Sequence, residues 1–224
     1  MDILEAINKR KSIRHFLHKP VTKEVMTRLL TAAVRAPSAN NTQPWEFVAV
    51  AGKALDRIRE KNTALLRAMT MPNPDHSLVS WAKDSVYRKR QVDLAKELFR
   101  LMGIAREDKE ARGEWLERGF RYFEAPAALF VLADRSLSES GPLMDIGAAV
   151  ENFCIAALTE GLGTCIEDQG VMYPDVLREE LSIPPEKRIV IAVAVGFPDP
   201  DFPANALISE REPVENVTRF VDFF

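Results

Sequence analysis

Apolar residues recur at helical spacing in two segments near the beginning of the chain. Ile3, Leu4 and Ile7 fall on one face of the first segment, and Asp2 is suited to cap it. The second segment, "TKEVMTRLLTAAVRA", places Val25, Leu29, Ala32 and Ala33 on one side, after a capping Thr22. The pattern therefore predicts two amphipathic helices that are joined through a short link containing Pro20.

Three apolar runs without helical spacing predict strands. They are "WEFVAVA" from Trp45, "APAALFVLAD" from Ala125 and "RIVIAVAVGFP" from Arg188. The last run is apolar throughout, which is typical of a central strand. Between the second and third runs, residues 141–163 are apolar on most of a helical surface, and this predicts a buried helix ending at a glycine pair.

Residues 53–120 are rich in Lys, Arg and Glu, with apolar residues at helical spacing. We expect helices there that cover the core without forming a second domain. The tail "REPVENVTRFVDFF" alternates apolar and polar residues, which is consistent with an edge strand or with an arm that wraps a neighbouring subunit. Strands separated by helices predict an α+β or α/β sandwich, with residues 1–224 in a single domain.

Composition and charge exclude several classes of protein. The 224 residues are 46% hydrophobic and 28% charged, with a net charge of −3, so no overall field attracts nucleic acid or an anionic membrane. We find no signal pattern and no apolar run of about 18 residues, and we expect a cytoplasmic protein without membrane partners. Three scattered histidines and two cysteines predict no metal site.

The segment "RKSIR" concentrates positive charge. Arg10 and Arg14 are four residues apart, so they share a face if the segment is helical, and the Ser12 hydroxyl lies between them. Two guanidinium groups and a hydroxyl suit a phosphate monoester. The alternative is that these cations lie on a solvated face and complement the end of a helix.

The segment "PSANNTQPW" carries donors and acceptors immediately before a strand. Ser38, Asn41 and Gln43 belong to a polar run that suits the edge of a heterocycle or a ribityl chain. The alternative is a loop whose polar groups satisfy one another. We expect Trp45 to belong to the core.

Two later segments carry weaker signals. The glycines of "GLGTCIEDQG" allow a ligand to approach the backbone, but the segment is not a dinucleotide fingerprint. We expect Cys165 to be a core thiol, although a nucleophile is the alternative, and Cys154 to pack inside the apolar helix. Arg211 lies between two glutamates, which usually indicates pairing at the surface.

Taken together, these segments resemble the FMN-dependent nitroreductase family, in its nitroaromatic and nitrobenzoate reductase-like branch. The resemblance is carried by "RKSIRHF", "APSANNTQPWEFVAV", "APAALFVLAD", "MDIGAAVENFCIAALTEGLGTC" and "SEREPVENVT", and it spans nearly the whole chain. It implies an α+β, nitroreductase-like α/β sandwich, in which helices flank a central, mostly antiparallel sheet. It also implies an intertwined homodimer with FMN at the interface.

The resemblance also implies which residues bind the cofactor. Arg10, Lys11, Ser12 and Arg14 match the positions that hold the phosphate and ribityl chain, and Arg211 matches a basic residue that reaches the same phosphate. The loop that the partner subunit places against the flavin is matched by Pro37, Ser38, Ala39 and Asn41. A backbone N–H of Glu167 or Asp168 is expected at flavin N5. No catalytic side chain is expected.

The implied activity is an NAD(P)H oxidoreductase. It would reduce nitroaromatics or quinones by ping-pong, two-electron hydride transfer through N5, with NADH or NADPH as donor. Residues 53–120 would form a substrate lid, in which Tyr87, Arg88 and Arg90 either meet an aromatic acceptor or lie on a solvated face. Enone reduction, reductive dehalogenation and flavin binding without turnover are the alternatives.

Overall fold

Four strands pair into one antiparallel sheet in the computed structural model, which describes residues 2–77 and 80–223. The strands are β1 (Glu46–Ala51), β2 (Ala127–Asp134), β3 (Gly163–Glu167) and β4 (Lys187–Gly196). Their spatial order is β1-β2-β4-β3, and each neighbouring pair is antiparallel. The expected central position of β4 is therefore confirmed.

Helices cover both faces of the sheet. They are α1 (Ile3–Lys9), α2 (Lys23–Ala33), α3 (Lys53–Arg67), α4 (Val86–Leu101), α5 (Lys109–Phe120), α6 (Leu143–Thr159), α7 (Pro174–Leu181) and the short α8 (Val214–Val217). Asp2 and Thr22 cap α1 and α2 as expected, by accepting the amides of Glu5 and Val25. The sandwich predicted from the sequence is confirmed.

The two faces of β2 enter different cores because successive side chains of a strand point to opposite sides. Phe130 packs with residues of α3 and α7 in one core, whereas Leu129 and Val131 pack with residues of α2 and α6 in the other. All three side chains have no exposed surface. This double burial explains why the strand has an uninterrupted apolar sequence.

Strand β3 was missed by the sequence patterns, which indicated only a glycine-rich loop after α6. It is five residues long and pairs with β4 from Gly163 to Glu167. The tail also differs from one of the two expectations: among the described residues, it adds no strand to the sheet. It contains the short α8, and Val217, Phe220 and Val221 are exposed in the single chain.

The helices within residues 53–120 differ in their burial. Leu55 and Ile58 of α3 are fully buried in the same core as Phe130, and α5 enters that core through Phe120. In α4, by contrast, Leu98 is the buried side chain. The region therefore contains two helices that belong to the core, α3 and α5, and one, α4, that lies nearer the periphery.

A left-handed turn precedes β2 and depends on one buried arginine. Tyr122, Phe123 and Glu124 have φ angles of 55°, 52° and 60°, which is unfavourable for three successive residues other than glycine. Arg59 of α3 is 9% exposed and donates to the carbonyl oxygens on both sides of the turn, Arg121 at 3.0 Å and Ala125. Arg59 thus adds charged donors to the carbonyl groups at both ends of the turn, one of which, that of Arg121, also accepts the Glu124 amide at 3.2 Å.

We predict that Arg59→Met lowers the free energy of unfolding by about 2–3 kcal/mol, because two carbonyl groups lose a charged donor. Urea unfolding measures this effect. Arg57→Met is the matched control on the same helix, since Arg57 is paired with Glu180 at the surface and should change stability little. Equal effects of the two substitutions would contradict the role of Arg59.

Candidate functional site

The segment "RKSIR" is extended and lies along the edge of the sheet. Helix α1 ends at Lys9, so the argument that Arg10 and Arg14 share a helical face is wrong. Ser12 forms a parallel bridge with Thr164 of β3, and the Ile13 amide donates to the Thr164 carbonyl at 2.9 Å. Residues two apart point to the same side of an extended chain. Arg10 and Arg14 can therefore share a side through strand periodicity, and not through a helical turn.

A glycine makes this close approach possible. A Cβ atom on Gly163 would lie 2.4 Å from Cγ1 of Ile13 and 2.9 Å from Cγ of Pro198. A larger residue would therefore push the cationic segment away from β3. The sequence indicated backbone approach at this glycine, but the neighbour is the protein's own segment.

Arg10 and Lys11 of this segment line a cavity of about 370 Å³ together with Gly163, Thr164 and Asn205, whereas Arg14 is not part of the lining. The Arg10 guanidinium also reaches Glu151 of α6, at 3.0 Å. Asn205 and Arg118 were not anticipated from the sequence. They contact the Arg14 backbone, Asn205 at the amide (2.7 Å) and Arg118 at the carbonyl (2.9 Å).

Arg211 belongs to the exposed C-terminal segment. Among the described residues, its hydrogen bonds go to Ser209 and to the carbonyl of Glu210. The neighbouring Glu212 pairs with Arg90 of α4 at 2.6 Å. The single chain therefore does not bring Arg211 against the segment that carries Arg10 and Arg14.

The loop after α2 satisfies part of its own polar groups. The Ser38 hydroxyl accepts the Gln43 amide at 3.0 Å, and the Gln43 side chain donates to the Asn41 carbonyl at 3.2 Å. Asn40, Asn41 and Gln43 all have positive φ angles, which asparagine tolerates better than most residues. Trp45 is 7% exposed and packs in the core, as expected.

The same loop is attached to the beginning of α6. The Ala39 amide donates to the Asp145 carboxylate at 3.1 Å, and a cavity of about 190 Å³ lies between Pro37, Ser38, Met144 and Asp145. The cavity beside Arg10 is lined by Leu158, near the other end of α6. Thirteen residues of helix separate Asp145 from Leu158, which is about 20 Å. One chain therefore keeps the two halves of the predicted site apart.

The side chain of Glu167, at the end of β3, is buried, whereas the next residue, Asp168, is exposed. Glu167 is 6% exposed and neither carboxylate oxygen has a hydrogen-bond partner among the described residues. Burial, followed by the nearby Asp168, raises the pKa of Glu167 well above its usual value. Desolvation also raises the pKa of Asp168, although this residue is exposed to solvent. Glu167 therefore favours its neutral form more than an exposed carboxyl group does.

Neither cysteine has the properties of a nucleophile. Burial raises the pKa of Cys165 to about 12 and that of Cys154 to about 11, so the thiolate form is suppressed. Both side chains lie in the hydrophobic cores, as expected.

Tyr87, Arg88 and Arg90 lie on an exposed face of α4. Arg88 pairs with Gln91, while Arg90 pairs with Glu212 and lies 6.0 Å from the Tyr87 ring. These contacts favour the solvated-face interpretation.

In the part of the chain that the structure describes, no helix is both long and apolar enough to cross a membrane, and no cluster of candidate metal ligands occurs.

Comparisons with known proteins identify relatives over the whole length of the chain. The chain is 32% identical to a nitrobenzene nitroreductase from Ectopseudomonas oleovorans, over 97% of this chain and 96% of that protein. It is 30% identical to a chloronitrobenzene nitroreductase from Comamonas testosteroni, with the same coverage. The crystal structure of the FMN and NADPH-dependent nitroreductase NfnB from Sphigopyxis sp. strain HMH superposes with a TM-score of 0.93, at 25% identity, over all of both chains.

The assignment of the chain to a family rests on a family model and does not depend on any single relative. A family model described as "Nitroreductase family" matches residues 7–197, which include the cationic segment, the loop after α2 and all four strands. Since this match covers well over half of the sequence, the chain belongs to the nitroreductase family.

Proposed function

We propose that the protein is an FMN-dependent oxidoreductase that takes electrons from NADH or NADPH and reduces nitroaromatic or quinone acceptors. The similar proteins named above are nitrobenzene and chloronitrobenzene nitroreductases, and the similar crystal structure is that of an FMN and NADPH-dependent enzyme. Membership of the family supports the flavin chemistry, and these relatives support the class of acceptor.

One observation carries the proposal: the cationic segment runs beside the strand that leads to the expected flavin edge. Ser12 and Ile13 pair with Thr164, and Glu167 lies three residues further along β3, at a distance of about 10 Å. A ribityl phosphate and the near side of a flavin can cover such a span. The phosphate would bind at one end of β3 and the ring at the other.

The donor set beside Thr164 fits a phosphate dianion. Arg10, Lys11 and Arg14 carry three positive charges, Ser12 adds a hydroxyl, and Glu151 neutralises Arg10 only in part. Charge-assisted hydrogen bonds of this kind are among the strongest that proteins make. Arg211 would add a further cation from the C-terminal segment once that segment is placed by a second chain.

The end of β3 suits the electron-transferring edge of the flavin. β3 is an edge strand, and such strands have backbone N–H groups that do not face a neighbouring strand. We assign the donor at N5 to the backbone of Glu167 or Asp168. Because burial disfavours ionisation of Glu167, this side chain adds less negative charge than an exposed carboxylate would next to a flavin that itself becomes more negative on reduction.

When bound, FMN supplies two-electron transfer between the nicotinamide donor and the acceptor. The side chains of this protein bind and orient the cofactor and exclude water, and we assign none of them a proton-transfer role. The donor and the acceptor would use the same place above the ring in turn, which gives ping-pong kinetics.

The site requires two copies of the chain. The loop of Pro37, Ser38, Ala39 and Asn41 is attached to α6 about 20 Å from the cavity beside Arg10, so a second copy has to place it over the flavin. Exposed apolar residues provide the surface for such a homodimer. They are Ile3, Leu4 and Ile7 on α1, and Val217, Phe220 and Val221 in the tail.

We propose a narrower substrate lid than the whole of residues 53–120. Helices α3 and α5 contribute to the core, so large movements of them would expose Leu55 and Phe120. Helix α4 and the segments beside it within residues 80–108 take no part in the cores on the two faces of the sheet, so they can cover an acceptor while Leu98 keeps α4 packed against Ala204 and Leu207.

We predict that Arg14→Ala weakens FMN binding by about 1.5–3 kcal/mol, the range for a hydrogen bond to a charged group. Titration of the apoprotein with FMN, followed by flavin fluorescence, measures the dissociation constant. Arg57→Ala is the control, because Arg57 is an exposed arginine whose partner is Glu180 on α7. Unchanged affinity in Arg14→Ala would refute the phosphate role.

The purified protein should show the visible spectrum of bound FMN and should oxidise NADH or NADPH when a nitroarene or quinone is present. A panel of nitroarenes, quinones and enones tests the acceptor class through initial rates. Turnover confined to enones would replace the proposed acceptor. Absence of turnover with every acceptor would indicate a flavin-binding protein, and a colourless protein that takes up no FMN would reject the proposal entirely.

A further inference from the structure

The backbone of Arg14 is hydrogen-bonded by side chains, and not by a neighbouring strand. The bridge between Ser12 and Thr164 lies before Arg14, and the bridge between Phe16 and Pro198 lies after it. Between these two bridges, side chains bind the amide and the carbonyl of Arg14. The cationic segment is therefore fixed at the residue whose guanidinium is expected to bind phosphate.

Asn205 makes three hydrogen bonds to the backbone with one side chain, and one of them is with Arg14. Its Oδ1 accepts the Arg14 amide at 2.7 Å, and its Nδ2 donates to the carbonyls of His15 at 2.8 Å and Asp199 at 2.9 Å. A side-chain amide has two N–H donors, and both are used here. Although Asn205 lines the cavity beside Arg10, it has no donor left for a phosphate.

Arg118 of α5 holds the other side of Arg14. Its Nη2 donates to the Arg14 carbonyl at 2.9 Å and lies 3.1 Å from Nδ1 of His15, and its guanidinium stacks 4.7 Å from the Phe202 ring. One arginine thus joins a core helix to the cationic segment through a backbone oxygen.

The turn that carries Asn205 is itself fixed by packing. Asn205 lies in the 3-10 turn Pro203–Ala206 and is 6% exposed. Ala204 and Leu207, on either side of it, pack against Leu98 of α4 in a small hydrophobic cluster. A buried asparagine on a packed turn is a rigid support for the backbone that it binds.

We infer that Asn205 and Arg118 are positioning residues that hold the Arg14 backbone so that its guanidinium meets the phosphate of the flavin. This inference rests on the proposed function. With both the amide and the carbonyl of Arg14 fixed, only side-chain torsions have to be ordered on binding, which lowers the entropic cost of forming the phosphate contact.

The test compares two flavins, because riboflavin lacks the phosphate that Arg14 would bind. We expect Asn205→Ala to raise the dissociation constant for FMN about tenfold and to change that for riboflavin by less than about twofold. Arg118→Met removes a different contact with the same backbone and should act in the same direction, so the inference remains testable if one variant folds poorly. Apoprotein titration with each flavin gives both constants.

Two further proteins complete the experiment. Tyr173→Phe is the control, since it removes one side-chain hydrogen bond to the backbone, at the Thr70 carbonyl, from a buried residue elsewhere, and it should leave both constants unchanged. In the double variant Arg14→Ala with Asn205→Ala, FMN affinity should equal that of Arg14→Ala alone, because Asn205 acts through Arg14.

Several outcomes would overturn the inference. FMN affinity that is unchanged in both variants excludes positioning, and equal losses for FMN and riboflavin indicate a general structural role. Additive losses in the double variant show that Asn205 does not act through Arg14. A wild-type protein that binds neither flavin overturns the proposed function itself, which is distinguishable from wild-type FMN binding that depends on Arg14 but not on Asn205.

Discussion

The hydrogen bond from the Ile13 amide to the Thr164 carbonyl, at 2.9 Å, fixes the cationic segment to the edge of the sheet. Gly163 permits this contact, since a Cβ atom there would collide with Ile13. Arg10, Lys11 and Arg14 consequently lie beside the strand that ends at Glu167. The contact constrains few residue identities, because it needs only a glycine and two backbone groups. In the proposed site, it nevertheless decides which end of β3 would receive the phosphate and which end would receive the ring.

Helix α6 decides how the remainder of the site is built. It carries the Asp145 contact with the Ala39 loop near one end and lines the Arg10 cavity near the other, about 20 Å away. A helix cannot bring these ends together, so we propose that a second chain completes the flavin site. The exposed apolar residues of α1 and of the tail fit the same conclusion, because they gain a buried environment only through association. Fold, site and assembly are thus coupled through one helix.

The sequence predicted the parts of the molecule that local patterns specify. Long apolar runs indicated β1, β2 and β4, helical spacing with capping residues indicated α1 and α2, and a mostly apolar helical surface ending at glycines indicated α6. Strand β3 was missed because its five residues depend on pairing with β4 and contain only a short apolar stretch. The helical argument for Arg10 and Arg14 failed for the same reason, since contacts with Thr164 hold that segment extended. Asn205 and Arg118 were not predicted because their partners, Arg14 and His15, are about 190 and 103 residues away in sequence. The segments around Arg10 and Ser38 stood out through their charge and polar groups, but only the resemblance to a family gave their residues specific roles.

The most direct test of the account is complementation between two defective chains. Arg14→Glu reverses a charge in the cationic segment that is proposed to bind the phosphate. Ala39→Trp places a bulky side chain on the exposed loop that should cover the partner's flavin. Each variant alone should lose FMN. A heterodimer of the two variants can be isolated through different affinity tags. If the site is shared between chains, one of its two sites combines an intact cationic segment with an intact loop. We predict that it binds about one FMN per dimer, whereas a heterodimer without FMN, prepared from chains that remain folded and associated, would contradict a site built in trans.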